Sequence, residues 1–484
     1  MEEKMNNTLF TDFYEIVMGY TNYESGETEK KEYFDLFFRS NPLKGGYAIS
    51  GGLDNIIKYI NNFDITDKHI DYLRKFNKFS EGYLSYLKNL KFTGDLYAVP
   101  DGTPVFPNEP VLTVKANVIE AKFIETALLN NFNHGTIVTT AAKRILEAAS
   151  EKPIMEFGAR RGRSIPGAVE ASKYAYVAGC VGTSNVECGM EYDVPVMGTM
   201  AHSEVCESDN EYEAFLKFAK FNPNDCILLV DTYDTLNVGI PNAIKVAKEY
   251  LEPNGYRLKG IRIDSGDLAY LSKEARKILD DAGLNDTKIT LSNSLNEEKI
   301  KSLIDEEAIF DSLGVGDNIG AVNDRLGGVY KLVAIEKEGK IIPKIKLSDD
   351  SIKTITPGVK KLYRFYDKES GYAVGDLVTL SHEEEPKDEY TLVNPVEEWK
   401  KKTIKNFNVR NMLVPIYING KQVYELPNIH ERRQYCIEEF KTIYPEIKRI
   451  NNPHEYYVDL SNELRELKKQ MIHDNVKIKT KELK

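Results

Sequence analysis

Apolar positions along the chain change their spacing several times, and each change marks a different kind of structure. Through the first ~115 residues, apolar runs of about five residues alternate with turns. The stretch TGDLYAVPDGTPVFPNEPVLTV (93–114), punctuated by Pro and Gly, is the clearest and predicts a β-rich unit rather than helices. From 116, ANVIEAKFIETALLNNF carries apolar residues at helical spacing, so a helical region begins there. Between about 150 and 335 one unit recurs: a short apolar run, a polar loop, an amphipathic helix. The predicted strands are PIMEF (153–157), CVGTS (180–184), VPVMGT (194–199), CILLV (226–230), KGIRI (259–263), KITLS (288–292), AIFDSLGV (308–315) and, as an eighth, GVYKLVAI (328–335). Helices such as LSKEARKILDDAG and NEEKIKSLIDE separate the later ones, as in βα units around a parallel sheet. Seven or eight units favour a closed or partly closed β/α barrel over an open doubly wound sheet. No GxGxxG dinucleotide fingerprint follows the first strand. After 336 the chain turns Lys- and Glu-rich, with a strand-like patch at LYRFYDKESGYAVGDLVTL. The last ~90 residues are highly charged, hold the single Trp, Trp399, and read as helical with a solvated basic end, KIKTKELK. The expected divisions fall at 1–115, 116–335, 336–395 and 396–484.

Composition narrows the function classes. The 484 residues carry 64 Lys+Arg against 75 Asp+Glu, a net charge of −11, with 42% hydrophobic and 10% aromatic residues. This is globular usage and excludes disordered and collagen-like chains. A net acidic chain has no overall electrostatic footprint for nucleic acid or an anionic membrane, so anionic ligands need a local basic pocket. The Cys residues, at 180, 188, 206, 226 and 436, form no CxxC pair, which argues against a disulfide framework and a zinc site. No run approaches the ~18 uninterrupted apolar residues of a membrane span, and the acidic start lacks the pattern of a signal peptide; a cytoplasmic protein is expected.

In a β/α barrel the carboxyl ends of the strands and the loops after them face the active site. Those positions gather Glu156, Phe157, Arg160, Arg161, Thr183, Ser184, Asn185, Thr199, His202, Asp231, Arg262, Asp264, Ser292, Asn293, Gly314, Gly316 and Gly328, a mixture suited to a polyanionic substrate. EFGARRGRS sets Arg160, Arg161 and Arg163 just beyond a strand, where guanidinium forks can clamp phosphate or carboxylate; the alternative is a surface salt-bridge patch. LGVGDNIG (313–320) with LGG (326–328) offers backbone N–H nests for phosphate. In IRIDSGD, strand alternation sends Arg262 and Asp264 to one side, either to hold substrate or as an internal ion pair. VDTYDT adds Asp231 and Asp234 as possible Mg²⁺ ligands. His202 in GTMAHSEV stands at a strand end with no triad or HExxH around it, so it reads as neither a hydrolase base nor a zinc ligand.

Taken together, TDFYEIVMGY, PDGTPVFPNEPVLTV, LLNNFNHGTIVTTAA, EFGARRGRS, GTSNV, GTMAHS, LVDTYDT, IRIDSGDL, GVGDN, LGGVYKLVAI and TPGVK resemble the nicotinate phosphoribosyltransferase family, in order, over roughly the first 380 residues. The resemblance implies an α/β protein of the type II phosphoribosyltransferase fold. Its parts are an irregular β/α barrel (116–335) and an open-faced β-sandwich from 1–115 and 336–395, to which the sequence pattern adds a carboxyl-terminal, mainly helical appendage (396–484). It also implies a cytoplasmic homodimer with shared active sites. The expected reaction transfers phosphoribosyl from phosphoribosyl pyrophosphate to nicotinate, giving nicotinate mononucleotide and pyrophosphate for NAD salvage, with Mg²⁺ and with ATP hydrolysed through a phosphohistidine. Residue by residue, His202 matches the phosphorylated histidine, with Asp264 beside it as catalytic. Thr199 and Tyr14 match nicotinate-contacting positions, Tyr14 reaching in from the partner subunit, and Ser184 and Asn185 are candidates to face the ring substituent. Phe157 matches an aromatic that stacks on the pyridine, and Arg160 and Arg262 match the arginines around substrate anions, with Arg161 beside them a further substrate-binding candidate from the residues alone. Gly314, Gly316 and Gly328 match the phosphate-binding region, and Asp231 or Asp264 would meet the metal. Two departures stand out: Asp317 occupies a position where many relatives carry Thr, and the tail after ~395 matches no family segment. The rivals are a nicotinamide or quinolinate phosphoribosyltransferase on the same fold and a non-catalytic nucleotide-binding barrel. Related nicotinamide enzymes carry an Asp at the position of Ser184, so the neutral Ser184 and Asn185 favour an anionic ring substituent.

Overall fold

A computed structural model describes residues 6–150, 152–347, 354–394 and 397–482. The chain forms two compact units, one from residues 138–323 and one from the segments on either side of it.

The 138–323 unit is built on a six-stranded sheet in which every pairing is parallel. In spatial order its strands are Gly182–Thr183, Ile154–Glu156, Ser312–Val315, Lys288–Leu291, Gly260–Ile263 and Ile227–Leu229. The helices between them start by one device. Asn185, Asn210, Asp267 and Asn296 each accept a hydrogen bond from the backbone N–H three residues on, satisfying a donor the helix cannot. The helices after Asn185, Asp267 and Asn296 therefore begin a few residues past a strand end, which leaves the intervening loop free for chemistry, whereas the one after Asn210 follows the short helix His202–Cys206. The run VPVMGT, expected as a full strand, contributes only a parallel bridge from Val196 to Thr183. Pro195 lacks the N–H that a ladder needs, so pairing stops there. The sheet is accordingly an irregular barrel.

The eighth run proves not to be a barrel unit. Gly328–Lys337 pairs antiparallel with Lys31–Phe38 in a seven-stranded antiparallel sheet of the other unit. That sheet also draws in Leu112–Asn117, Asp95–Ala98 and Val414–Ile418. A four-stranded sheet of Phe407–Asn411, Lys360–Asp367, Ala373–Leu380 and Val458–Leu460 lies in the same unit, and Lys360 Nζ reaches Asp35 Oδ2 at 2.8 Å to tie the two sheets together.

The amino-terminal part is less purely β than its punctuation suggests. It carries helices Phe13–Glu24, Leu53–Asn61, Asp67–Arg74 and Glu81–Lys88. In LDNIIKYIN the buried Leu53, Ile56, Ile57 and Ile60 follow a helical period that is only two turns long, short enough to pass for a strand among the Pro and Gly. The last ninety residues hold helices Ile429–Lys441 and Asn462–Glu482, as expected, but also strands that complete both sheets, so this stretch is part of a unit and not an appendage. The backbone of the basic KIKTKELK end is helical to Glu482, and its side chains lie outside the described residues. Among the described residues, no helix is long and apolar enough to cross a membrane.

Candidate active site

Three adjacent strands of the parallel sheet bring Asp231, Arg262, Asp264 and Ser292 to one edge. Ile261 and Ile263 point into the core with no exposure, so alternation turns Arg262 and the following Asp264 the other way. Arg262 Nη1 donates to Thr199 Oγ1 at 2.5 Å, while its Nε is buried with no hydrogen-bond partner among the described residues. Burial holds the guanidinium below its ordinary range, Asp264 and Asp231 oppose that shift, and Arg160 adds to it. A half-buried cation with an unused donor is a receptor for an anion.

His202 begins a short helix, His202–Cys206, and its ring lies between two carboxylates and a hydroxyl. Nδ1 is 3.1 Å from Thr232 Oγ1, and Nε2 is 4.0 Å from Asp231 Oδ1 and 3.9 Å from Asp264 Oδ2. Asp231 Oδ2 accepts from the Asp264 N–H at 3.0 Å and from Ser265 Oγ at 2.6 Å, whereas its buried Oδ1 has no hydrogen-bond partner among the described residues. Asp264 Oδ1 accepts from Ser292 Oγ at 2.5 Å. Each carboxylate thus has one oxygen fixed by protein donors and the other beside the imidazole. Thr232, which orients the imidazole, escaped the sequence reading, although it follows Asp231 directly in VDTYDT.

A second set surrounds Phe157. Its backbone N–H donates to the Val315 carbonyl at 2.7 Å, and its ring covers Gly314, where a Cβ would lie 2.5 Å from Phe157 Cε2. Gly158 and Gly320 are pressed just as closely: a Cβ on Gly320 would meet the Gly158 carbonyl oxygen at 2.4 Å. Glycine is needed here for backbone approach. The buried Glu156 pins the turn, accepting from the Gly158 N–H, from Ser172 Oγ at 2.8 Å and from Thr183 Oγ1 at 2.5 Å. Glu156 is therefore a scaffold for the loop and does not open into the mouth.

Of the exposed arginines, Arg161 Nε pairs with Asp317 Oδ1 at 2.8 Å, which gives Asp317 a partner in the protein, and Arg163 donates to the Val322 carbonyl at 3.2 Å. Asn185 is committed to its helix, its Oδ1 accepting from the Cys188 N–H at 3.3 Å and its Nδ2 donating to Ser172 Oγ at 3.3 Å. The Ser184 side chain is exposed, with its backbone N–H held by the Glu156 carbonyl at 2.9 Å. Tyr14 and Gly328 belong to the other unit; the Tyr14 hydroxyl lies 3.5 Å from Glu125 Oε1, and the Gly328 N–H donates to Asn133 Oδ1 at 3.0 Å. Among the described residues, no group of three or more His, Cys, Asp and Glu side chains is arranged to hold a metal ion by itself.

A parallel β/α barrel whose strand ends present one receptor arginine, an imidazole and two half-satisfied carboxylates defines a protein that handles anionic substrates at its barrel mouth. Comparison with known proteins gives the family. Models of the nicotinate phosphoribosyltransferase N-terminal domain, family and C-terminal domain match residues 9–133, 153–374 and 359–468. A nicotinate phosphoribosyltransferase of Bacillus subtilis is 42% identical over 473 residues, covering 96% of this chain and 95% of the relative. One of Caenorhabditis elegans is 33% identical, covering 96% and 93%. The crystal structure of human nicotinic acid phosphoribosyltransferase superposes with a TM-score of 0.83 at 27% identity, covering 96% of this chain and 99% of that one. A nicotinate-nucleotide pyrophosphorylase from Pyrococcus furiosus gives 0.69 at 25% identity, covering 91% and 98%. The chain belongs to the nicotinate phosphoribosyltransferase family. The match to residue 468 also corrects the expectation that the tail after ~395 is foreign to it.

Proposed function

We propose that this chain is the enzyme that transfers the phosphoribosyl group of 5-phosphoribosyl 1-pyrophosphate to nicotinate, giving nicotinate mononucleotide and pyrophosphate for NAD salvage. The observation that carries the reading is Arg262, a partly buried cation with an unused Nε donor, set beside Asp264, Asp231 and His202 in a chain of this family. The pyridine nitrogen attacks C1 of the ribose with its own lone pair, and the electron pair of the C1–O bond leaves with pyrophosphate. No general base is required, which fits the lack of an activated Ser, Cys or Lys at the strand ends. Catalysis then rests on positioning and on donors for the leaving group.

Arg262 and Thr199 hold the nicotinate carboxylate, Phe157 stacks on its ring, and Arg160 and Arg161 meet substrate anions. Gly314 seats the Phe157 ring, and the backbone from Gly316, just past the strand end, receives phosphate. The neutral, exposed Ser184 hydroxyl leaves nothing to repel a carboxylate. ATP drives the reaction through His202: its γ-phosphoryl passes to the imidazole with loss of ADP, and water later releases phosphate. With Nδ1 engaged by Thr232, Nε2 is the nitrogen left to receive it. Mg²⁺ fits Asp231 and Asp264, since Asp231 Oδ1 is buried and unsatisfied, and when bound it would neutralise phosphate charge. The working form is a homodimer in which Tyr14 enters the partner's site. Supporting this, Phe13 and Tyr14 are 45% and 49% exposed, with Phe10 and Met18 also exposed close by in sequence, an apolar patch of the kind that a partner covers. A cytoplasmic location accords with five cysteines that form no disulfide among the described residues.

Pyrophosphate release measured with nicotinate, nicotinamide or quinolinate, each with phosphoribosyl pyrophosphate, Mg²⁺ and ATP, tests the reading. Turnover with nicotinate, stimulated by ATP, is expected. Turnover confined to another pyridine, or absent with all three, overturns it.

A further inference from the structure

Glu15 lies in the first turn of the helix Phe13–Glu24 and is buried, 1% exposed, next to the exposed Tyr14. Two hydroxyls grip its carboxyl. Thr11 Oγ1 is 2.5 Å from Glu15 Oε2 and 2.9 Å from the Phe123 carbonyl oxygen. Thr126 Oγ1 is 3.2 Å from Glu15 Oε1 and 3.1 Å from Asp12 Oδ2, and it accepts the Asp12 N–H at 3.0 Å. The Thr11 hydroxyl owns one hydrogen for two acceptors, the Phe123 carbonyl and Glu15. A proton on Glu15 makes hydrogen bonds of both contacts, with the Thr11 hydrogen on the carbonyl and the Glu15 O–H on Thr11 Oγ1.

The groups around Glu15 agree. Asp12 and Glu125 are acids, and Tyr14, Tyr59 and Tyr330 are phenols. The nearby cation, Lys331, acts on Glu125. No cation among these faces Glu15 to favour its charged form.

We propose that Glu15 is a neutral carboxylic acid whose O–H, donated to Thr11, positions the Thr11–Tyr14 segment against Phe123–Thr126, and that loss of this proton withdraws Tyr14 from nicotinate. The role of Tyr14 rests on the function proposed above; the state of Glu15 does not. Burial pushes the Glu15 carboxyl up to about 8, whereas burial and the surrounding carboxylates push the Tyr14 phenol far above that range.

Glu15→Gln supplies an N–H to Thr11 that cannot titrate. The measurements are kcat/KM for nicotinate at saturating phosphoribosyl pyrophosphate from pH 6.5 to 9.5, with Tm over pH 5 to 9.5. The native enzyme should lose kcat/KM with an apparent pKa near about 8, and Glu15→Gln should remove that limb. Glu15→Ala should lose at least about tenfold at pH 7, with Gln recovering most of it. Since the folded state binds this proton more tightly than the unfolded one, native stability falls relative to Glu15→Gln from about pH 4.5 to about 8 and then runs parallel. That Tm gap reports the proton even if nicotinate is not turned over. An alkaline limb retained in Glu15→Gln, or a Tm gap independent of pH, overturns the proposal. Should Glu15→Gln fail to fold, Thr11→Val removes the acceptor and must move the native limb by at least about half a pH unit; an unmoved limb is equally fatal.

Discussion

Gly314→Ala is the sharpest probe of how the barrel recognises a ring. The added Cβ would lie 2.5 Å from Phe157 Cε2 and 2.6 Å from Cδ2. Carbon atoms in contact rest at about 3.5–4.0 Å, so the ring must retreat by about 1 Å or more. The backbone cannot move instead: Gly314 is paired with Met155 on one side, and its neighbour Leu313 is paired with Leu291 on the other. Ser292 Cβ, 3.4 Å from the new methyl, blocks the remaining direction. Overpacking of this kind costs about 1–3 kcal/mol, which a chain of this size survives. The larger effect falls on nicotinate, because a 1 Å misplacement at a reacting centre costs up to about 100-fold. We expect kcat/KM for nicotinate to fall about 10- to 100-fold, with KM for phosphoribosyl pyrophosphate changed less than about threefold. Steady-state kinetics on both single variants and on Gly314→Ala combined with Phe157→Ala close a double-mutant cycle. Without the ring there is nothing to displace, so the second change should add less than about twofold. Losses that simply multiply, or a normal nicotinate KM in Gly314→Ala, would refute the idea that Gly314 seats Phe157 for the pyridine.

Other expectations are briefer. His202→Ala should keep a slow transferase but lose ATP stimulation and the acid-labile phosphate on the protein; full stimulation in the variant would remove His202 as the coupling residue. Arg262→Ala should lose about 2–5 kcal/mol of transition-state binding for nicotinate, and Arg262→Lys should recover little, because a point charge cannot satisfy both Thr199 and a carboxylate; near-normal Lys kinetics would contradict this. Ser184→Asp should lower the nicotinate to nicotinamide ratio of kcat/KM by at least about tenfold, and an unchanged ratio would mean that Ser184 does not read the substituent. Asp459 is buried with neither carboxylate oxygen hydrogen-bonded among the described residues, and burial pushes it up to about 6. Its raised pKa lowers native stability as pH rises from about 3.8 to about 6, so Asp459→Asn should be more stable by on the order of 1–3 kcal/mol at pH 8 and gain nothing below pH 4, checked by urea unfolding at both pH values.

The barrel edge was legible because its information is local. CILLV runs straight into Asp231, and the alternation of IRID alone separates Arg262 and Asp264 from the two isoleucines. Elsewhere the deciding information lay far along the chain. GVYKLVAI has the texture of the barrel strands, and only its partner, Lys31–Phe38, assigns it to another sheet. Thr199 and Arg262 are 63 residues apart, and Thr232 and His202 are 30 apart, so neither hydrogen bond could be read from spacing. Asn185 carries a different ambiguity: a polar residue just past a strand can face a ligand or cap the next helix, and here its Oδ1 accepts the Cys188 N–H.

The seven-stranded sheet sets a timetable for synthesis. Asp95–Ala98 finds one neighbour, Leu112–Asn117, almost at once, but its other neighbour, Val414–Ile418, arrives more than 300 residues later. At translation rates of about 5–20 residues per second, that edge waits roughly 15 to 60 s on the ribosome with its ladder donors and acceptors unpaired. Meanwhile the 138–323 unit, continuous in sequence, emerges whole and has every strand of its parallel sheet in hand. A nascent chain halted near residue 400 would carry a complete nucleotide-chemistry barrel and an adhesive open edge. Loss of the carboxyl-terminal strands should therefore surface in the cell as aggregation before it is measured as lost turnover.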